Sequence, residues 1–177
     1  MTYKTLNNTE ESITSLNNIR LRKPTLTDGA AVHALISRCA PLDSNSLYCN
    51  LLQCFHFADS AILAEDNTES LVGFISGYRL PQQPDTLFVW QVAVDSRARG
   101  QGLASQMLLQ LLAHQNNEVQ YLHTTITEAN SASWNTFKRL ARKLKTEFSS
   151  HELFNREAHL GGEHDSEFLI QIGPFSH

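Results

Sequence analysis

The run from Thr86 to Val94 constrains this chain more than any other stretch. Leu87, Phe88, Val89, Trp90, Val92, Ala93 and Val94 place apolar side chains at both parities. A strand apolar on both sides belongs in the middle of a sheet, covered on both faces. It passes without a break into Asp95–Gly102, and from there Leu103, Met107, Leu108, Leu111 and Leu112 recur at helical spacing. Tyr121 to Ile126 then restores a strand, after a connection long enough for a helical crossover between parallel strands. One βαβ unit is therefore expected at the centre of the fold.

The flanking segments extend that unit. Ile19 to Arg22 reads as a short strand stopped by Pro24, and Thr27 or Asp28 can cap a helix carrying Ala31, Val32, Leu35, Ile36 and Cys39. A second helix follows the break at Pro41 to Ser44, with Leu47, Leu51, Leu52 and Phe55 on one apolar face. Ser60 to Glu65 and Leu71 to Leu80 are antiparallel strands around a polar turn, and Pro81 to Asp85 breaks the chain. Ser131 to about Lys145 is helical through Trp134, Phe137, Leu140, Ala141 and Leu144. A strand from Thr146 to Glu152, a polar loop and a last strand from Glu167 to Ile172 follow. The expected fold is α/β, or α+β layered: a mixed, mostly antiparallel sheet of about seven strands flanked by about four helices.

A length of 177 residues suits one domain, here residues 19–177, after a polar, flexible tail over residues 1–18. That tail lacks the apolar segment of a secretion signal, so a cytoplasmic location is expected. Fourteen Lys and Arg against 18 Asp and Glu, with no basic run, argue against a nucleic-acid partner. No apolar stretch reaches the ~20 residues of a membrane helix. Cys39, Cys49 and Cys54 form no C-x-x-C pair and read as reduced thiols.

The chemistry sits in Arg97 to Ala104. Gly100 and Gly102 permit positive φ and close approach of backbone N–H groups. The next helix points its unpaired N–H groups at the same spot, and Arg97 and Arg99 add charge. These are the parts of a phosphate cradle, although a tight turn that merely needs glycine stays open. No G-K-[ST] follows, and the third glycine of a dinucleotide loop is missing.

Arg97-x-x-Gly100-x-Gly102 with Leu103 and Ala104, after a V-A-V strand, resembles the acyl-coenzyme A pyrophosphate loop of the GNAT superfamily of N-acetyltransferases. Asn130-x-x-Ser133-x-x-x-Phe137 resembles its second coenzyme-contacting element. The resemblance implies acetyl-CoA as co-substrate and a sheet splayed at the fourth strand by a bulge. Coenzyme contacts would fall at Val92, Ala93, Val94, Arg97, Arg99, Gly100, Gln101, Gly102, Leu103, Ala104, Asn130, Ser133 and Phe137. It also implies a homodimer. Pro41 to Ser46, His56 to Asp59, Gln83 to Val94 and His164 to Glu167 are similar, more narrowly, to the branch that acetylates L-2,4-diaminobutyrate on its 4-amino group for ectoine synthesis. That likeness assigns substrate contacts to Asp43, Trp90, His164 and Glu167.

The residue types suit such a reaction. A diamino acid carries two ammonium groups, which carboxylates and the face of an indole can hold. The reacting ammonium, with a reference pKa near ~10.4, must lose a proton, to Glu167, His164 or water. Many superfamily members carry a tyrosine where this chain has Phe137, so water or another hydroxyl, Tyr48 for choice, would protonate the leaving thiolate. Spacing within His151, His159, Glu163, His164, Asp165 and Glu167 matches no catalytic zinc motif, and no metal is expected. Two alternatives stand beside this reading: an acetyltransferase for another small diamine or amino acid, and a coenzyme-binding regulatory module without turnover.

Overall fold

The computed structural model describes residues 19–40, 42, 45–115 and 118–175; the tail expected over residues 1–18 lies outside the described residues. Seven strands form one sheet. They are β1 (Arg20–Arg22), β2 (Ile62–Glu65), β3 (Leu71–Leu80), β4 (Gln83–Val94), β5 (Tyr121–Thr127), β6 (Phe148–Phe154) and β7 (Glu167–Ile172). Their order is β1-β2-β3-β4-β5-β7-β6, with β4 and β5 parallel and every other neighbouring pair antiparallel. The parallel pair is the expected βαβ unit, with α3 (Leu103–Ala113) as its crossover.

Four more helices complete the described fold: α1 (Gly29–Ser37), α2 (Leu47–Phe55), α4 (Ser131–Leu144) and α5 (Arg156–Leu160). The last of these occupies the expected polar loop. Asn155 caps it, its side-chain oxygen accepting the backbone N–H groups of Glu157 and Ala158. Residues 81–85 do not break the chain but turn β3 directly into β4. Leu80 faces Gln83 while Pro84, Asp85 and Thr86 loop out of the β3 register, so the proline costs no ladder bond.

β4 carries a bulge. Ser76 faces Gln91 and Gly77 faces Val89, which leaves Trp90 as the extra residue. One inserted residue exchanges the faces of everything after it. Leu87 and Val89 before the bulge, and Val92 and Val94 after it, all pack on the core between the sheet and α3 and α4. Ala93 joins the second core with Val32, Leu35, Ile36 and Phe74 beneath α1. Apolar side chains at both parities thus record a change of face as well as burial. The expectation that the whole strand is buried on both sides needs correction, because Trp90 is 48% exposed.

α2 also departs from expectation. Its buried face carries Asn50, Gln53 and Cys54, while Leu47 and Phe55 are exposed. Asn50 hydrogen-bonds His33 Nδ1 of α1 at 3.0 Å and donates within α2 to Gln53 Oε1 at 3.0 Å, whereas the Gln53 amide nitrogen is buried without a partner among the described residues.

Candidate active site

The glycine loop adopts the backbone that its sequence calls for. Gly100 and Gly102 have φ of 76° and 80°, and the space where a Cβ would stand is empty at both. Left-handed backbone, rather than crowding, requires glycine here. Gly102 is the N-cap of α3, so the first N–H groups of that helix open onto the loop.

Asp95, which no motif singled out, braces this segment. Its carboxylate accepts the Arg97 backbone N–H at 3.0 Å, Arg97 Nε at 3.1 Å and Arg38 Nε at 2.8 Å. The two guanidiniums hold this carboxyl well below the usual carboxylate range. An aspartate closing a buried strand one residue before Ser96 and Arg97 was the available signal, since such residues cap the turn that follows. Arg99 Nε donates to the Val94 carbonyl at 2.9 Å and Gln101 Nε2 to the Arg97 carbonyl at 3.3 Å. Asn130 caps α4 by accepting the Ser133 N–H at 3.1 Å. Because β4 and β5 are parallel, α3 and α4 both begin at the same end of the sheet. The side chains of Ala93, Leu103 and Phe137 are buried in the cores, leaving their backbone as what could meet a ligand.

Between these helix starts the sheet opens. β4 pairs with β5 only through Thr86–Tyr121, Leu87–Leu122 and Phe88–His123. Past Phe88 the strands part, and the β4 edge that carries Val92 faces the gap. Beside the gap, on the face opposite α3 and α4, lies a cavity of about 690 Å³ whose walls include Tyr78, Phe88, Trp90, His123, Thr125 and Gln171. Tyr78 stacks obliquely on Phe88 at 5.3 Å between centroids and meets Trp90 edge-on at 6.3 Å.

The residues proposed for the substrate fall unevenly around this cavity. Trp90 lies in its wall. Glu167 opens β7 opposite Thr127 of β5 and Phe154 of β6, and strand alternation puts it on the side of Leu169 and Gln171, at the glycine-loop end of the sheet. His164 is exposed in the preceding loop. Asp43 lies outside the described residues. Asn45 donates to Gln91 Oε1 of the bulged strand at 3.3 Å. Tyr48, in the first turn of α2, is 69% exposed. In the loop around His164, Asp165 is paired with Arg156 at 3.2 Å.

His123 was missed. Its side chain is 7% exposed, and burial pushes its imidazole below the ordinary value. The signal was present in β5, where His123, Thr125 and Thr127 alternate with the core residues Leu122 and Ile126.

A sheet opened between two parallel strands, with a glycine loop and two helix starts at its mouth, defines an acyl-coenzyme A N-acyltransferase fold. Residues 30–141 match the family model described as Acetyltransferase (GNAT) family, and the chain belongs to that family. It is 53% identical over 163 residues to L-2,4-diaminobutyric acid acetyltransferase of Methylotuvimicrobium alcaliphilum, covering 92% of this chain and 94% of that protein. With the Vibrio cholerae protein of the same name it shares 49% over 152 residues, 85% of this chain and 87% of the other. Among solved structures it superposes with a TM-score of 0.85, at 37% identity, on the diaminobutyrate acetyltransferase of Paenibacillus lautus in complex with L-2,4-diaminobutyric acid and coenzyme A. That match spans 90% of this chain and 97% of the other.

Proposed function

We propose that this protein transfers the acetyl group of acetyl-CoA to the 4-amino group of L-2,4-diaminobutyrate, giving N4-acetyl-L-2,4-diaminobutyrate, the acetylation step of ectoine biosynthesis. The observation that carries the reading is the gap between β4 and β5, with the glycine loop at its mouth and the Trp90 cavity at its side. In this reading Gly100 to Ala104 and the α3 N-terminus bind the coenzyme pyrophosphate, Asn130 and Ser133 flank the coenzyme, and β4 N–H groups near Val92 hold the thioester carbonyl. Trp90, Glu167 and His164 receive the diamino acid together with Asp43. Tyr48 protonates the departing thiolate.

A homodimer belongs to the same proposal. Leu47 and Phe55 on α2, and Leu153 and Phe154 on β6, are exposed apolar side chains that a second copy would cover. Working on the soluble acetyl-CoA pool, the enzyme would be cytoplasmic; among the described residues no helix is long and apolar enough to cross a membrane.

The test is thiol release from acetyl-CoA with L-2,4-diaminobutyrate beside ornithine, lysine, putrescine and 2,3-diaminopropionate, with product position read by NMR. Preference for diaminobutyrate with acetyl on N4 is the expected result. Coenzyme binding without turnover of any amine would overturn it in favour of a regulatory module.

A further inference from the structure

His123 occupies the vertex of the gap, in the last β4–β5 pair before the strands separate. Phe88 stands beside it on one side and Gln171 on the other, and all three line the cavity. Gln171 Nε2 lies 3.2 Å from His123 Nε2. Glu167 lies opposite Thr127, four residues further along β5, so the carboxylate and the imidazole mark places about 13 Å apart along the sheet, with Trp90 on the wall between. Resting on the function proposed above, we propose that His123 accepts the proton of the ammonium that reacts, while Glu167 holds the substrate's other ammonium and His151 passes the proton to solvent.

The two positions, His123 in the cavity wall and Glu167 further along the sheet, favour opposite charge states. A carboxylate stabilises the ammonium form of an amine beside it, which suits the amine that must stay unreactive. The reacting amine has to become neutral, and a buried, uncharged imidazole among aromatic side chains favours that form. Gln171 can turn its amide to take the Nε2–H on its oxygen, which leaves Nδ1 as the free acceptor and keeps this hydrogen bond when the ring is protonated. The titratable groups around the ring are Asp85 of β4, His151 of β6, Tyr78 of β3 and, on its own strand, Tyr121. Asp85 favours the imidazolium, whereas burial and His151 oppose it.

The step balances. The ammonium gives one proton to Nδ1. The freed lone pair forms the C–N bond at the thioester carbonyl carbon, and the C–S bond breaks. The thiolate leaves and takes the second N–H proton through Tyr48, and the imidazolium discharges to water by way of His151, which also lines the cavity. One proton is released per acetyl transferred.

The experiment is the pH profile of kcat/KM for diaminobutyrate in the wild-type chain and in His123→Gln, Gln171→Glu and Glu167→Gln, with folding checked by circular dichroism. His123→Gln is expected to lower kcat about 100-fold or more, to leave KM for acetyl-CoA within about threefold, and to abolish the acid limb. Gln171→Glu, which places a carboxylate beside the ring, is expected to move the acid limb to higher pH and decides the matter should His123→Gln fail to fold. Glu167→Gln is expected to raise KM for diaminobutyrate and keep the limb. An acid limb unchanged in His123→Gln or Gln171→Glu, or lost in Glu167→Gln alone, would overturn the assignment while leaving the proposed reaction standing. Absence of turnover in the wild-type chain would instead defeat the reaction itself.

Discussion

The two halves of the sheet are clad differently. β2 is buried throughout and β3 from Leu71 to Gly77, lying between the core under α1 and the core under α3 and α4. β5, β7 and β6 have α3 and α4 against one face only. Their other face lines the cavity, and β6 is exposed along all but its first residue. The burial of the first half supplies the rigidity against which the second half can keep polar and aromatic side chains open to a ligand.

The sharpest way to break that comparison is to remove apolar bulk from each half. Phe74→Ala, at a site with no exposure, is expected to cost about 3–5 kcal/mol in a denaturant titration. The next effect is electrostatic and belongs to the clad half. Asp28 binds Arg22 through two hydrogen bonds of 2.8 Å, and the guanidinium, helped by the Thr25 N–H, lowers its carboxyl from 3.8 to about 2. A depressed folded-state pKa stabilises above the unfolded value and is lost as pH falls through the folded one. Up to about 2 kcal/mol should therefore disappear between pH 4 and pH 2. In Asp28→Asn that stretch of the stability–pH curve should flatten.

Smaller effects belong to the open half and its loop. Gly102→Val forces a branched side chain to φ of 80°, a strain of about 1–2 kcal/mol, and isothermal titration should show roughly tenfold weaker coenzyme binding. Trp90→Ala should raise KM for diaminobutyrate by a similar factor through loss of a ~1–2 kcal/mol cation–π contact, with little change in melting temperature because the ring is already 48% exposed. Leu153→Ser, at 37% exposure on β6, should alter monomer stability by less than about 0.5 kcal/mol. A loss there equal to that of Phe74→Ala would erase the distinction between the halves.

Much of this was legible in the sequence. Leu71–Leu80 and Glu167–Ile172 begin and end where the apolar runs do, and the glycine loop has the positive φ that its residues imply. Other features were not. Leu47, Leu51, Leu52 and Phe55 resemble a core-facing stripe, yet α2 buries Asn50, because His33 on α1 gives it a hydrogen-bonded partner and nothing local announces that partner. Pro81 and Pro84 look like a break, but a looped-out register absorbs them. His123 lacks a motif, and its interest arises only from the residues that other strands bring beside it.

The sequence by itself determined the elements whose causes are local: the periodicity of strands and helices, the capping of α3 and α4, and the glycines that allow a left-handed turn. Tertiary structure alone decided which face each residue of β4 presents after the bulge, where β4 and β5 separate, and which side of the sheet stays without helices. Those outcomes depend on pairing between strands far apart in the chain. One unpaired residue at Trp90 exchanges the faces of all that follow, and no periodicity read along a single strand records the register of its neighbour.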